Sequence, residues 1–135
     1  MLILGEESMN RKIKFRGKSD DEWVYGMLLR TGDFDTEHGE DYEYTIQTDE
    51  KETGEYNRYF ITDSNTIGQF IGLKDKNGVE IYEGDILESP YSDDRATVEW
   101  SEEDGMFVLI IDDVETNFSN EKSTDWEVMG NIYDI

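Results

Sequence analysis

The segment Thr66–Leu87, TIGQFIGLKDKNGVEIYEGDIL, constrains the fold more than any other part of the chain. Asn77-Gly78 is the dipeptide that type I′ hairpin turns favour, because both central residues of such a turn need φ > 0. Phe70, Ile71 and Leu73 precede it, and Val79, Ile81 and Tyr82 follow, with Glu80 and Glu83 interleaved. Apolar residues on both sides of Asn-Gly are the strongest short-range signal for a β-hairpin. Gly84-Asp85 marks a second break, and Ile86-Leu87 starts another short strand. Gly68, Gly72, Gly78 and Gly84 suit sharply bent strands, where glycine admits bulges and corners. Asp75, Asn77 and Glu80 faintly suggest a calcium loop, but the third ligand, the spacing and the closing bidentate glutamate are missing. The segment therefore reads as a plain turn, and it carries no chemistry that names a reaction.

The rest of the chain continues the β pattern. Ile13 and Phe15 alternate with Lys12, Lys14 and Arg16, which puts the oily residues on one face and the bases on the other. Gly17 to Asp21 reads as a turn, and Trp23 to Leu29 as a second strand rich in aromatic and branched residues. Thr31 to Asp41, TGDFDTEHGED, is polar and punctuated by glycine, so it reads as a loop. Tyr42, Tyr44 and Ile46 mark a third strand, Asp49 to Glu55 a charged loop, and Tyr59 to Ile61 a short fourth strand. Ser89 to Asp94 is a turn holding Pro90. Ala96, Val98 and Trp100 alternate, and Glu102 to Gly105 makes a tight charged turn. Met106 to Ile111 is continuously apolar, the mark of a strand covered on both faces. Val114 to Phe118 is expected to pair back on it. Ser119 to Asp125 has room for a helical turn but no apolar stripe, and Trp126 to Tyr133 is a last strand bent at Gly130. No segment has a helical period, and about nine or ten short strands with close turns point to a small barrel or sandwich.

Composition narrows the classes of function. A chain of 135 residues suits one domain. Its 6 Phe, 8 Tyr and 3 Trp can fill a real core, and a chain of this size buries about two thirds of its unfolded surface. There is no cysteine, so disulfides, thiolate catalysis and cysteine-ligated zinc are excluded and a reducing cytoplasm is the expected setting. Met1 to Leu4 is too short for a signal h-region and runs into Glu6-Glu7. With 12 basic and 34 acidic residues the net charge is −22, which opposes binding to phosphate backbones. It favours solubility, basic partners or mimicry of a polyanion. Arg11, Lys12, Lys14, Arg16 and Lys18 gather near the start, whereas from Asn77 onward only Arg95 and Lys122 are basic. A basic arm facing an acidic body would support head-to-tail self-association; the plainer alternative is a solvated face with ordinary lysines.

Candidate chemistry is sparse. His38 is the single histidine and sits among Asp33, Asp35, Glu37, Glu40 and Asp41, an arrangement that suits a hard-metal or acid/base site. With so many carboxylates such crowding is also expected of an ordinary acidic loop. A Ser-His-Asp arrangement would have to use His38, which has no nucleophile elbow nearby. The glycine-rich segment lacks the phosphate-loop pattern and opens no helix. Trp23, Tyr25, Tyr42, Tyr44, Tyr59 and Phe60 suit a base-stacking platform, but only the Arg11–Lys18 arm offers basic company, so core packing is the better reading. No catalytic, cofactor-binding or metal-binding residue is assigned, and no cofactor is expected.

Several stretches resemble the YopX family: Lys12 to Lys18 (KIKFRGK), Trp23 to Gly26 (WVYG), Ile67 to Gly78 (IGQFIGLKDKNG), Glu80 to Ile86 (EIYEGDI) and Glu127 to Tyr133 (EVMGNIY). The resemblance covers most of the chain from Met9 onward. It implies a protein of phages and prophages in bacterial hosts, mostly Gram-positive. It also implies a mainly β fold whose later half resembles a partly open SH3-like barrel, with little helix. It implies no particular activity and supplies no catalytic residues to carry over. Residues 1–8 read as an extension ahead of the usual start, and the chain stops at Ile135 where relatives run on into a short acidic tail. The expected organisation is therefore residues 1–8 followed by a single β domain, 9–135, with N-terminal strands and acidic loops over 9–65 and the barrel part over 66–135.

The resulting expectation is a protein that acts by protein binding or self-assembly and not by catalysis. A homo-oligomer and a basic host protein are the expected partners, and nucleic acid and membranes are not. One alternative is a polyanion mimic that sequesters a basic host protein; another is a metal-dependent hydrolase that uses carboxylates.

Overall fold

The computed structural model describes residues 12–35, 39–49, 51–89, 91–118 and 123–134, with 33–35 and 39–42 described by their backbone alone. The expected extension over residues 1–8 lies outside this set. The chain divides into two compact units, one of residues 13–69 and one that joins Lys12 to 70–135. The boundary falls four residues beyond the expected one at 65/66, inside a strand.

The 13–69 unit is an antiparallel sheet of β1 (Phe15–Ser19), β2 (Glu22–Asp35), β3 (Gly39–Gln47), β4 (Arg58–Phe60) and β5 (Asp63–Lys74), ordered β4-β3-β2-β1-β5. Its core is Val24, Ile46 and Ile61, with Phe15, Leu28, Tyr44 and Ile67 packed against them. Period two supplies this face directly, since Val24 and Leu28 share a side of β2, and Tyr44 and Ile46 share a side of β3.

Two expectations change here. The turn predicted over Gly17 to Asp21 is confined to Asp20-Asp21, whose φ values of 49° and 70° form a tight two-residue hairpin turn. Thr62 and Thr66 brace it: Asp20 N–H donates to Thr62 Oγ1 at 3.0 Å and Lys18 N–H to Thr66 Oγ1 at 2.9 Å. Of the loop expected over Thr31 to Asp41, residues 31–35 and 39–41 instead form part of a ladder, with Thr31 opposite Glu43, Asp33 opposite Asp41 and Asp35 opposite Gly39, while 36–38 lie outside the described residues. The residues of this stretch do not alternate oily with polar, so the pattern that reveals strands is missing.

In the 70–135 unit the latter part of β5 pairs with β6 (Glu80–Tyr82). A five-stranded antiparallel sheet follows, ordered β10-β9-β8-β7-β11, from β7 (Asp85–Glu88), β8 (Arg95–Ser101), β9 (Met106–Ile111), β10 (Val114–Thr116) and β11 (Glu127–Asn131). The sheets are not closed barrels. Ile81, Leu87, Ala96, Val98, Leu109 and Trp126 form the core, joined by Ile71, Ile111, Phe118 and Val128. Consecutive Val108 and Leu109 are both buried, as the unbroken apolar run of β9 required. A short 3-10 turn, Ser123–Asp125, occupies the place expected for a helical turn, and β11 carries a bulge between Val128 and Gly130. Among the described residues there is no α-helix. The mainly β class is as the residue pattern indicates.

Asn77-Gly78 turns the chain where expected but not in the expected way. Gly78 has a φ of 79°, whereas Asn77 is not among the residues with positive φ, so the turn is not type I′. Gly78 N–H donates to Asp75 O at 3.0 Å and Asp75 N–H to Val79 O at 2.8 Å. This is a type I turn over Lys76-Asn77 closed by a left-handed glycine. The Asp75 carboxylate selects it by accepting the N–H of Asn77 at 2.8 Å and of Val79 at 2.9 Å.

Candidate interaction surface

The second face of the 13–69 sheet carries its most distinctive chemistry. Alternation along β2 puts Trp23, Tyr25, Met27 and Leu29 opposite to the core-facing Val24 and Leu28. Register then brings side chains of neighbouring strands to the same face. Lys18 lies across from Trp23 and Arg16 across from Tyr25. Gln47 lies between Met27 and Arg58, and Thr45 between Leu29 and Phe60. The Arg16 guanidinium sits 4.6 Å from the centre of the Trp23 ring and Lys18 Nζ 5.4 Å from it, within the range of cation–aromatic attraction.

Gly26 sets the close fit of β2 on β3. Its φ is +154°, and a Cβ there would lie 2.0 Å from the carbonyl oxygen of Gln47. Only glycine allows that approach, and it holds Gln47 in line with Met27 and Arg58. Arg58 Nε–H in turn donates to Gln47 Oε1 at 3.1 Å, and its guanidinium lies 5.8 Å from the Tyr56 ring.

The outcome is a sheet face that ends in an exposed aromatic border. Tyr25 is 41% exposed, Met27 52%, Tyr56 46% and Phe60 51%. All three residues of β4 are exposed, and β4 is the terminal strand of its sheet.

The residues singled out in the sequence are not brought together as one site. The aromatic platform splits: Trp23, Tyr25 and Phe60 share this face, Tyr44 packs in the core, and Tyr59 sits opposite the buried Ile46. The side chain of Tyr42 lies outside the described set. The basic arm is not an arm either. Lys12 is exposed, Lys14 and Lys18 are half-buried, Arg16 is 5% exposed, and Arg11 lies outside the described residues. Strand β1, which bears Arg16 and Lys18, is internal, held between β2 and β5, so Arg16 stacks on Trp23 within its own sheet. Residue reasoning named β4 as a short strand but missed Met27 and Tyr56. The available signal was Tyr56-Asn57-Arg58-Tyr59-Phe60, an aromatic-rich stretch with one cation that follows a charged loop.

Of the acidic group, Asp33 and Asp35 lie on β2 and Glu40 and Asp41 on β3, while Glu37 and His38 fall outside the described residues. Among the described residues, no three His, Cys, Asp or Glu side chains are grouped to hold a metal ion. Asp75 has both carboxylate oxygens engaged by the main chain, since Oδ2 also accepts the N–H of Val128 at 2.9 Å. Burial raises its pKa, but the N–H donors of Val128, Val79 and Asn77, helped by Lys76, outweigh burial and hold it below its ordinary value. Lys76 Nζ reaches Glu127 at 3.3 Å beside this clamp. Asp85, likewise buried, accepts the N–H of Tyr82 at 2.7 Å. These two carboxylates fasten turns. Among the described residues no helix is long and apolar enough to cross a membrane.

A family model described as YopX protein matches residues 14–135. Among solved structures, the crystal structure of protein EF1440 from Enterococcus faecalis is similar, with 27% sequence identity and a TM-score of 0.51. That likeness covers 91% of this chain and 94% of the other. No curated protein matches.

Proposed function

The chain belongs to the YopX family, and from that premise we propose that it is a phage- or prophage-encoded protein of the bacterial cytoplasm that acts by binding protein surfaces, its own copies included, and not by catalysis. One observation carries this reading: Tyr25, Met27 and Phe60 stand exposed on one sheet face that ends at β4. Exposed apolar groups gathered on one face suit an interaction site. Tyr, Met and Arg are also the residue types enriched where proteins meet. The family supports a phage or prophage origin, and the lack of cysteine suits a reducing compartment.

The test is capture on immobilised protein, comparing the wild-type chain with Tyr25→Ser and Phe60→Ser. Proteins retained by the wild type are expected to be lost from both variants while circular dichroism and thermal midpoint stay unchanged. Retention that is indifferent to both substitutions would remove this face from consideration, and turnover of a substrate by purified protein would overturn the reading as a whole.

A second reading, mimicry of a polyanion, is favoured by exposed acids in the 70–135 unit. Glu102, Glu103 and Asp104 crowd one loop, and Asp112, Asp113 and Glu115 cluster about another turn. It requires capture of basic, nucleic-acid-binding proteins that weakens steeply with salt. Capture of such proteins that is equal at low and high salt counts against it.

A further inference from the structure

Strand β4 is paired on one side by β3, and among the described residues no strand pairs with its other side. Ile61 N–H donates to Tyr44 O at 2.8 Å, and Thr48 N–H donates to Asn57 O at 2.8 Å. Main-chain groups of a strand point to alternate sides from residue to residue. Asn57, Tyr59 and Ile61 therefore turn toward β3, and Arg58 and Phe60 turn their N–H and C=O groups away from it. The pairing with β3 is continuous from Arg58 to Phe60, without a bulge, and the strand has no proline. Those are two of the devices that usually blunt an edge.

We propose that β4 pairs antiparallel with β4 of a second copy about a two-fold axis at Tyr59. That register sets Arg58 opposite Phe60 of the second copy, and Phe60 opposite its Arg58. Each pair exchanges two N–H···O=C bonds, so every outward group of both edges is used. The same register sets each guanidinium beside a phenyl ring on one face, a cation–aromatic contact made twice. Shifting the axis to Arg58 sets two guanidinium groups against each other. Shifting it to Phe60 sets Arg58 against Thr62, whose hydroxyl already serves Lys18 O and Asp20 N–H. Tyr59 is the centre at which the segment is complementary to itself.

The net charge of −22 on each copy opposes the association. Hydrogen bonds and ring contacts hold it, so salt strengthens it by screening that repulsion. This is opposite to the salt response of a polyanion mimic. With so short a strand the dimer belongs to the weak, transient class, populated at about tens to hundreds of micromolar.

The proposal rests on the binding reading above and names its partner. Sedimentation velocity of the full chain from about 5 to about 500 µM, at low and high sodium chloride, is expected to show a dimer that grows with concentration and with salt. Amide exchange at Arg58 and Phe60 is expected to slow as it forms. Phe60→Pro removes an outward N–H without touching a bond to β3, and Arg58→Glu replaces the cation by an anion. Each is expected to raise the dissociation constant about tenfold or more with the thermal midpoint little changed. If Phe60→Pro fails to fold, Arg58→Glu still decides. A monomer throughout the range at both salts overturns the proposal, as does a dimer that both variants leave intact. Self-pairing lost with capture of other proteins retained would leave the binding reading in place; loss of both would remove both.

Discussion

Asp75 reaches Val128, 53 residues further along the chain, and accepts its backbone N–H at 2.9 Å while its other oxygen organises the Asn77-Gly78 turn. One carboxylate thus ties the β5–β6 hairpin to the last strand of the 70–135 unit. Asp75→Asn keeps the shape but replaces a charged acceptor and sets an amide N–H2 against N–H donors. The expected loss is about 2 kcal/mol, and about 3 kcal/mol for Asp75→Ala, read from urea unfolding.

The same group predicts a pH signature. Its folded pKa lies below the ordinary 3.8, so its contribution is present in full above that value and is lost as pH falls through the lower, folded value. The stability difference between wild type and Asp75→Asn is therefore expected to be flat from about pH 5 to pH 7 and to shrink below about pH 4. A difference that widens on acidification would mean that Asp75 is not clamped as described.

Gly26 and Gly78 separate two costs of replacing glycine. At Gly26 a Cβ meets the Gln47 carbonyl at 2.0 Å as well as an adverse φ, whereas at Gly78 the space is open and only the φ of 79° is unfavourable. Gly78→Ala is expected to cost about 1 kcal/mol, and Gly26→Ala more than about 3 kcal/mol or the fold of the unit itself. Equal losses would show that β2 and β3 do not approach as closely as the register of Met27 on Gln47 requires.

Asp112-Asp113 and Asp20-Asp21 adopt the left-handed pair of conformations that Asn-Gly favours. The double change Asp112→Asn with Asp113→Gly is expected to stabilise the chain by about 0.5–1 kcal/mol, by relieving the backbone and removing two negative charges. Chemical denaturation at fixed salt measures it, and destabilisation would argue that these carboxylates hold a partner in place.

Divalent ions test the remaining chemistry. The thermal midpoint is expected to be insensitive to millimolar magnesium, calcium or manganese beyond what an equal ionic strength of sodium chloride produces. A specific rise that vanishes in Asp33→Asn or Asp35→Asn would instead favour the carboxylate hydrolase.

Local patterns were legible wherever a core stood behind them. The alternation of Val24 with Trp23 and Tyr25, and the unbroken run through Val108 and Leu109, each report how many faces of a strand are covered. The pairing of 31–35 with 39–43 was illegible because its residues do not alternate oily with polar. The turn at Asn77-Gly78 was legible in position but not in type, since its geometry is chosen by a side-chain oxygen of Asp75. The candidate surface was legible only in pieces. Tyr25 and Phe60 were visible as aromatic residues, but nothing near either one says that β2 and β4 flank the same strand.

The amino-acid order alone determined a cysteine-free, strongly acidic β protein with its turns near the right residues, because strand period and turn chemistry act within a few residues. The tertiary structure alone decided that the basic first strand is internal with Arg16 stacked on Trp23, and that Arg58-Tyr59-Phe60 is left at an edge. Both follow from β5 returning to pair with β1 and from β4 pairing, among the described residues, with β3 alone. Such pairings join segments far apart in the chain, and no local window of residues contains both halves of the contact that settles them.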